Sequence, residues 1–307
     1  MATTVGLIGL GRMGGNMARR WRQQGVNVIA LNRSRSVTDA LAQECGVVAT
    51  TSIEQLIAQL PSPRIVWLML PAGDATQQHI DSVLPLLSAG DVLVDGANSW
   101  FKHTLQRAEQ IQKTGVHFVD AGVSGGVWGL ANGYCIMAGG EKTAINIVTP
   151  LLQTLAPAVD RGWLHTGPTG SGHFTKMVHN GIEYGMMQAF AEGFSVLKAR
   201  EEFSLDIAAI AELWRHSSVV RSWLLDLCGD FLKHDQQLDD IAPIVADSGE
   251  GRWTALEAIE QGIPAPVMSL ALMMRFASQG KSDFGEKMLV KMRAGFGGHA
   301  ITHQAEK

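Results

Sequence analysis

The first half of the chain alternates short, continuously apolar runs with amphipathic stretches of helical length. Short runs that lack polar alternation are typical of strands buried on both faces. They occupy residues Val5–Leu10, Asn27–Leu31, Ile65–Leu70, Asp91–Val94 and Val116–Asp120. Strands that alternate with helices form βαβ units, which build a parallel sheet covered by helices. We therefore predict an α/β Rossmann-like domain with a doubly wound, mostly parallel sheet over residues 1–171.

The pattern changes after Gly172, where long helical periodicity replaces the short apolar runs. Predicted helices occupy residues Phe174–Lys198, Leu205–Arg215, Ser222–Phe231, Arg252–Gln261 and Ala265–Gln279. A chain of 307 residues exceeds the length of one average domain. We therefore predict that residues 172–307 form a second, all-α domain.

Composition and charge argue against several classes of function. A net charge of −4 argues against a nucleic-acid partner. No apolar run approaches the length of about 18 residues that a membrane span requires, so no membrane association is expected. The three cysteines, Cys45, Cys135 and Cys228, are far apart and form neither a disulfide framework nor a metal-ligand spacing. We expect a cytoplasmic protein that has no metal site and acts on a small molecule.

A glycine motif of the form G-x-G-x-x-G follows the first predicted strand and opens the first predicted helix. In this setting the glycines allow a tight turn, close approach of the backbone to a pyrophosphate, and close packing of helix on strand. The helix N-terminus adds the positive end of its dipole. The motif predicts dinucleotide binding by residues Gly9, Leu10, Gly11, Arg12, Met13 and Gly14.

The residues after the second predicted strand bear on the choice of dinucleotide. NAD sites usually place an acidic residue there, where it binds the ribose hydroxyls. This chain instead has Asn32, Arg33 and Ser34, and the first carboxylate is Asp39. An arginine can pair with a 2′-phosphate that a carboxylate would repel. We predict NADP as the cofactor, bound in part by residues 32–34, with NAD as the alternative; a solvated basic turn would show the same pattern.

One face of the long helix after Gly172 carries a varied set of polar groups. Spacings of three, four, seven and eight residues place on that face Lys176, His179, Asn180, Glu183 and Tyr184. An apolar stretch with Met186 and Met187 follows, so the helix is predicted to be buried on both sides. Buried charges require partners or a ligand, whereas an exposed face would favour exchangeable Glu and Lys. We therefore predict a catalytic face.

The segment K-M-V-H-N-G-I-E-Y at 176–184 resembles the signature of the decarboxylating 6-phosphogluconate dehydrogenases, within the β-hydroxyacid dehydrogenase superfamily. Agreement covers nearly the whole chain, including D-G-A-N-S at 95–99, D-A-G-V-S-G-G at 120–126, D-S-G-E-G-R-W-T at 247–254 and R-A-G-F-G-G-H-A at 293–300. The resemblance implies oxidative decarboxylation of 6-phosphogluconate to ribulose 5-phosphate and CO₂, with reduction of NADP or NAD, in the pentose phosphate pathway.

The resemblance also implies a role for each matching residue. Lys176 would be the general base and Glu183 the general acid. The sugar acid would be held by Asn98, Ser124, Gly125, Gly126, His179 and Asn180, and Asn98 would also lie near the nicotinamide. The phosphate would be held by Tyr184, Arg275, Arg293 and His299, of which the last two reach in from a partner subunit. This arrangement implies a homodimer or homotetramer with shared active sites, although Arg293 could instead be a charge at a helix C-terminus and His299 a loop residue.

Two departures from the longer members of the family bear on assembly and substrate. The helical domain matches a shorter form, so partner subunits are expected to replace the missing packing surface. The segment before Gly251 is shortened and offers Glu250, a carboxylate that would be unfavourable beside a phosphate. A β-hydroxyacid or unphosphorylated sugar-acid dehydrogenase that acts without decarboxylation is the alternative, and a nucleotide-sensing regulatory protein is a more distant one. The glycine-rich stretch 294–298 is not expected to form a stable helix by itself.

Overall fold

The computed structural model describes residues 3–297 and 300–302. The chain divides into two compact units, Met1–His179 (unit 1) and Asn180–Lys307 (unit 2). In the described residues, unit 1 contains the whole of a mixed sheet and unit 2 is helical.

Unit 1 is built on an eight-stranded sheet within the described residues. Its strands are β1 (Thr4–Ile8), β2 (Asn27–Leu31), β3 (Val48–Ala49), β4 (Ile65–Leu68), β5 (Val92–Asp95), β6 (His117–Ser124), β7 (Cys135–Gly140) and β8 (Trp163–Gly167). The order across the sheet is β3-β2-β1-β4-β5-β6-β7-β8, and only the pair β6–β7 is antiparallel among these strands. The predicted doubly wound, mostly parallel α/β fold is confirmed.

Helices cover both faces of this sheet. They are α1 (Arg12–Gln23), α2 (Arg35–Cys45), α3 (Ile53–Ala58), α4 (Asp74–Val83), α5 (Phe101–Ile111), α6 (Gly129–Asn132) and α7 (Lys142–Leu155). Trp21 of α1 and Leu152 of α7 belong to the core on one face. Leu56 of α3 and Ile111 of α5 belong to the core on the other face. The central strands β1, β4, β5 and β6 are therefore buried on both sides, as their continuous apolar runs require, whereas the edge strands β3 and β8 are partly exposed.

The strand order reverses between β1 and β4. The chain leaves β1 toward β2 and leaves β4 toward β5, so the loops after these two neighbouring strands run in opposite directions. In open parallel sheets, ligands bind in the crevice that such diverging loops leave at the carboxyl ends of the strands. The glycine motif at 9–14 follows β1 directly and lies at this crevice.

Helices make up the regular structure described for unit 2. Helix α8 (Ser171–Lys198) begins in unit 1 and continues into unit 2, and it is followed by α9 (Ile207–Arg215), α10 (Trp223–Leu232), α11 (Glu250–Glu260), α12 (Pro266–Ser278) and α13 (Asp283–Gly297). Ala211 of α9 and Leu225 of α10 share one apolar cluster, while Tyr184, Ala255 and Leu272 share another. None of the helices in the described ranges is long and apolar enough to cross a membrane.

Strand β6 is longer than the sequence predicts. The apolar pattern ends this strand at Asp120, whereas the structure extends it to Ser124. The reason is tertiary, because residues 119–124 pair with residues 135–140 of the antiparallel strand β7. That ladder satisfies backbone groups beyond the parallel part of the sheet. The extension places Ser124, a predicted substrate-binding residue, at the end of a strand.

One expectation about the helices of unit 2 is wrong, and the expectation for the stretch 294–298 by itself is not tested, because its described part ends a longer helix. Helix α8 is not buried on both sides beyond Tyr184, because Met186 and Met187 are exposed in the single chain. Helix α13 continues through Gly297 despite its glycine-rich end. Asp283 and Glu286 in its first turn favour the helix through its dipole, which offsets part of the cost of the glycines.

Candidate active site

The three glycines of the motif meet the three requirements of a dinucleotide-binding loop. Gly9 turns the chain with a φ of +99°, and a Cβ there would collide with the carbonyl oxygen of Met69. A Cβ on Gly14 would collide with the carbonyl oxygen of Gly9, so the helix packs on the loop only because the side chain is missing. Gly11, the N-cap of α1, has open space around it. These residues fit a nicotinamide dinucleotide whose pyrophosphate approaches the backbone at Gly11.

Asn32 connects the end of β2 to this loop. Its Oδ1 accepts a hydrogen bond from the backbone N–H of Leu10 at 3.0 Å, and its Nδ2 donates to the carbonyl oxygen of Ser34 at 3.3 Å. Asn32 therefore shapes the glycine loop from within the protein. Arg33 is exposed and pairs with no carboxylate among the described residues. Its guanidinium is the group of this turn that is open to a ligand phosphate.

The carboxylate of Asp120, on β6, caps the N-terminus of α8. One oxygen accepts the backbone N–H of Gly170 at 2.6 Å and the other accepts that of His173 at 2.8 Å. Asp120 is fully buried, and the positive end of the helix dipole favours its charge. Gly172 permits this close approach, since a Cβ there would lie 2.5 Å from the carbonyl oxygen of Asp120. Asp120 thereby determines where α8 begins and where Lys176 lies.

Lys176, in the second turn of α8, is almost completely withdrawn from water. Its residue surface is 5% exposed, and its Nζ lies 3.4 Å from Nδ1 of His179. The stem of Lys176 packs on Gly122 of β6, where any side chain would collide with the Cβ of the lysine. The contact places Lys176 beside the last residues of β6, which end at Ser124.

Asn98, in the loop after β5, holds the end of β6. Its Nδ2 donates to the carbonyl oxygen of Val123 at 3.2 Å, and its Oδ1 accepts the N–H of Val123 at 3.0 Å. The backbone of Asn98 has a φ of +51°, a conformation that asparagine adopts more readily than most residues. The structure therefore brings Asn98, Ser124 and Lys176 together around the end of β6.

The segment after Ser124 and the partner strand complete this region. Gly125 and Gly126 follow directly, with φ values of +126° and +52°. Cys135 pairs with Ser124 across β6 and β7 and keeps contact with solvent. Partial burial raises the pKa of the Cys135 thiol, while the positive charge of Lys176 acts in the opposite direction. The thiol therefore stays protonated near neutral pH.

In unit 2, Tyr184 and Arg275 stack on each other. The guanidinium carbon of Arg275 lies 3.4 Å from the centre of the Tyr184 ring, and its Nη1 donates to the carbonyl oxygen of Ala246 at 2.8 Å. The Tyr184 hydroxyl donates to Asp247 at 3.2 Å, and Arg252 pairs with the other oxygen of Asp247 at 2.7 Å. Two of the predicted phosphate-binding residues thus share a cluster with a carboxylate.

The remaining predicted residues are distributed along the helices. His179, Asn180 and Glu183 lie on α8 and are partly buried. Arg293 lies on α13 and is exposed, and His299 lies outside the described residues. Within the part of the chain that the structure describes, no group of three or more His, Cys, Asp or Glu residues could hold a metal ion.

Known protein families match both halves of the chain. Residues 4–164 match the NAD binding domain of 6-phosphogluconate dehydrogenase, and residues 172–298 match the 6-phosphogluconate dehydrogenase C-terminal domain. The chain belongs to the 6-phosphogluconate dehydrogenase family. It is an NAD(P)-dependent oxidoreductase, and the prediction of a nicotinamide dinucleotide cofactor is confirmed.

Relatives of this family occur in two lengths. A Haloferax volcanii relative named 6-phosphogluconate dehydrogenase, NAD(+)-dependent, decarboxylating, is 38% identical over 98% of this chain and 99% of its own length. A Bacillus subtilis relative named as the NADP(+)-dependent, decarboxylating enzyme is 38% identical over 91% of this chain and 62% of its own length. A solved structure of Plasmodium falciparum 6-phosphogluconate dehydrogenase is 31% identical, with a TM-score of 0.84, and is matched over 99% of this chain and 67% of that one. The expected match to a shorter form of the family is confirmed.

Two carboxylates that are important in the structure were not predicted to have a role from the sequence. Asp120 caps the helix of Lys176, and Asp247 joins Tyr184 to Arg252. Both lie in segments that carry the family resemblance. For Asp120, the available signal was a carboxylate at the end of an apolar strand. For Asp247, it was a carboxylate in a segment with glycine and arginine. A carboxylate that is buried in such a place requires a partner. That signal predicts a partner without identifying it.

Proposed function

We propose that the protein catalyses the oxidative decarboxylation of 6-phosphogluconate to ribulose 5-phosphate and CO₂, coupled to reduction of a nicotinamide dinucleotide. The observation that carries this proposal is the buried Lys176, held between Gly122 and His179 on the helix that also bears Glu183. A relative named as decarboxylating, 38% identical and matched over 99% of its own length, supports the same reaction.

Lysines that are removed from water can serve as general bases. Lys176 would accept the proton of the C3 hydroxyl of the sugar acid as a hydride leaves C3. A bound nicotinamide dinucleotide supplies the hydride acceptor. The resulting 3-keto acid loses its C1 carboxylate as CO₂, and the electron pair of the broken bond forms an enediol while protonated Lys176 donates to the C3 oxygen.

Glu183 would complete the reaction by protonating the former C2 of the sugar acid, which becomes C1 of ribulose 5-phosphate. It lies two turns after Lys176, about 10 Å farther along the helix axis at the usual rise. Because the base and the acid act at neighbouring carbons, their side chains must converge across the substrate. Asn98, Ser124, Gly125, Gly126, His179 and Asn180 would orient that segment, and Tyr184 with Arg275 would hold its phosphate.

Substitution of the two proposed catalytic groups tests this function. Lys176→Met and Glu183→Gln are each expected to lower kcat by about 10² to 10⁴, since proton transfer contributes that much. Lys198→Met, at the far end of the same helix, is the matched control and should retain full turnover. Binding of the reduced dinucleotide, followed by its fluorescence, should persist in all three variants. Near-normal turnover in either catalytic variant contradicts the assignment.

An unphosphorylated sugar acid, oxidised without decarboxylation, is the second candidate. Asp247 favours it, because this carboxylate accepts the Tyr184 hydroxyl and neutralises Arg252 where a phosphate would need free donors. Glu250 adds another carboxylate at the start of α11. A panel of sugar acids with and without a terminal phosphate, with CO₂ measured, separates the candidates. Release of CO₂ from 6-phosphogluconate alone supports the first one.

We propose NADP as the preferred dinucleotide. Support comes from the exposed Arg33 and from the absence of a carboxylate in residues 32–34. Relatives carry names of both kinds, one NAD(+)-dependent and one NADP(+)-dependent. Membership of the family therefore does not determine the choice between NADP and NAD, and this choice is tested by substitution of Arg33.

We also propose that the active protein is a homo-oligomer with shared sites. Helix α13 supports this, because Phe284, Leu289 and Met292 are exposed on it in the single chain. Apolar side chains exposed in such numbers are typical of protein–protein interfaces. Arg293 lies on the same helix and would reach the substrate of a partner subunit. Its planar fork of donors suits a phosphate or carboxylate.

A further inference from the structure

Arg107 of α5 is a buried arginine whose side chain is surrounded by hydrogen-bond acceptors. It is 4% exposed, and its Nη1 donates at 2.8 Å to the fully buried carboxylate of Asp95 and at 2.8 Å to Ser99 Oγ. Its Nη2 donates to the carbonyl oxygen of Gly73 at 3.1 Å, and its Nε donates to Gln77 Oε1 at 3.0 Å. A buried charge with this many partners is held in a single geometry.

These contacts join two loops at the carboxyl edge of the sheet. Gly73 precedes α4, in the loop after β4, which borders the crevice where the strand order reverses. Ser99 lies in the loop after β5, and it donates in turn to Asp95 at 3.0 Å. The remaining oxygen of Asp95 accepts the N–H of Ala97 at 3.0 Å. One guanidinium therefore sets the spacing between the loop after β4 and the loop after β5.

The network continues to the substrate side through Asn98. This residue lies between Ala97 and Ser99, which are both bonded to Asp95. Its carboxamide holds both backbone groups of Val123, next to Ser124. A shift of the loop after β5 would therefore move the end of β6 as well.

We propose that Arg107 is a positioning residue that aligns the dinucleotide crevice with the sugar-acid site. Because Arg107 is only 4% exposed, it would act on both ligands through other residues. It acts through the loop after β4 for the dinucleotide and through Asn98 for the sugar acid. Lysine cannot replace it, because a single ammonium cannot donate in the fixed directions of the guanidinium fork.

A second arginine–carboxylate pair, near the other end of β5, provides the control. Arg64 Nη1 pairs with Asp91 at 3.1 Å, and the backbone N–H of Arg64 donates to the same carboxylate at 2.7 Å. Asp91 precedes β5 and Asp95 ends it, so the two pairs lie at opposite ends of the strand. The Arg64 pair is a structural ion pair far from the crevice, and its arginine side chain is 27% exposed.

The test compares Arg107→Lys with Arg64→Lys. Binding of reduced dinucleotide is measured by fluorescence at a temperature well below the Tm of both variants. We expect the Kd of Arg107→Lys to rise about tenfold and its kcat to fall by about 10² through misalignment, while Arg64→Lys stays within about twofold in both. Unchanged binding in Arg107→Lys, or equal weakening in Arg64→Lys, overturns the proposal.

Gln77→Met keeps the result decisive if Arg107→Lys fails to fold. It retains the ion pair with Asp95 and removes the hydrogen bond from Arg107 Nε to α4, the helix that directly follows the loop after β4, so dinucleotide binding should weaken by about threefold with little change in Tm. Wild-type binding in Gln77→Met then overturns the proposal. The turnover measurement rests on the proposed function, but the binding measurement does not require the sugar acid. Failure of the positioning role and failure of the substrate assignment are therefore distinguishable.

Discussion

Gly122 and Lys176 contact each other so closely that the strand residue must lack a side chain. A Cβ at position 122 would collide with the Cβ of Lys176, and it would lie 3.0 Å from the carbonyl oxygen of Gly172. Strand β6 and helix α8 therefore meet backbone to backbone. The proposed catalytic base can occupy its position only because residue 122 of the strand is a glycine, which has no Cβ.

Gly122→Ala is expected to displace the start of α8 and with it Lys176. Overpacking of this kind costs about 1–3 kcal/mol of stability, and the displaced base should lower kcat by about tenfold or more. Gly193→Ala, on the same helix with open space around it, is the control. It should gain up to about 1 kcal/mol and keep full turnover. A normal kcat in Gly122→Ala would show that the contact does not position the base.

Arg33→Ala is expected to weaken NADP binding much more than NAD binding. A charge-assisted contact with the 2′-phosphate contributes about 1.5–3 kcal/mol, which is roughly a ten- to hundredfold change in Kd. Arg35→Ala is the matched control, because Arg35 already pairs with Asp39 at 3.2 Å. Titration of each variant with NADP and with NAD gives the ratio of the two Kd values. A wild type that prefers NAD, or an unchanged ratio in Arg33→Ala, would contradict the predicted cofactor preference.

Tyr134→Phe is expected either to leave the free energy of unfolding unchanged or to increase it by about 1 kcal/mol. Tyr134 is fully buried, and its hydroxyl has no hydrogen-bond partner among the described residues. Burial raises the pKa of this phenol to about 12, so the group stays neutral at ordinary pH. Tyr134→Leu is the contrasting variant, since it leaves a cavity and should cost about 2 kcal/mol or more. Thermal unfolding measures both, and a clear loss in Tyr134→Phe would reveal a polar partner.

Co-expressed Lys176→Met and Arg293→Ala subunits are expected to recover activity that neither variant has alone. Each mixed pair of subunits that share sites would contain one site with both an intact Lys176 and an intact Arg293 from the neighbour. Lys291→Ala, two residues before Arg293 and also exposed, is the control and should be active by itself. Separate affinity tags on the two chains isolate the mixed species. Purified mixed oligomers without activity would mean that Arg293 serves its own subunit or has no catalytic role.

Much of the fold of unit 1 follows from local sequence pattern. Continuous apolar runs predicted the parallel strands, because a strand that is buried on both faces consists mostly of apolar residues. This pattern can be recognised in each strand by itself. The glycine motif predicted the loop after β1 for a similar reason, since Gly9, Gly11 and Gly14 act within six residues of one another. The polar face of α8 was predicted from helical spacing alone.

The tertiary structure decided what those elements do to each other. Strand β6 extends to Ser124 only because β7 pairs with it. Asp120 caps helix α8 by accepting a hydrogen bond from the backbone N–H of Gly170, which is 50 residues farther along the chain. The exposure of Met186 depends on what packs against α8, which no periodicity records. Arg107 looks like an ordinary helix arginine until Asp95 and Gly73 are placed around it. Local patterns are set by backbone geometry and burial, whereas these contacts depend on register and on chain segments that meet only in the folded protein.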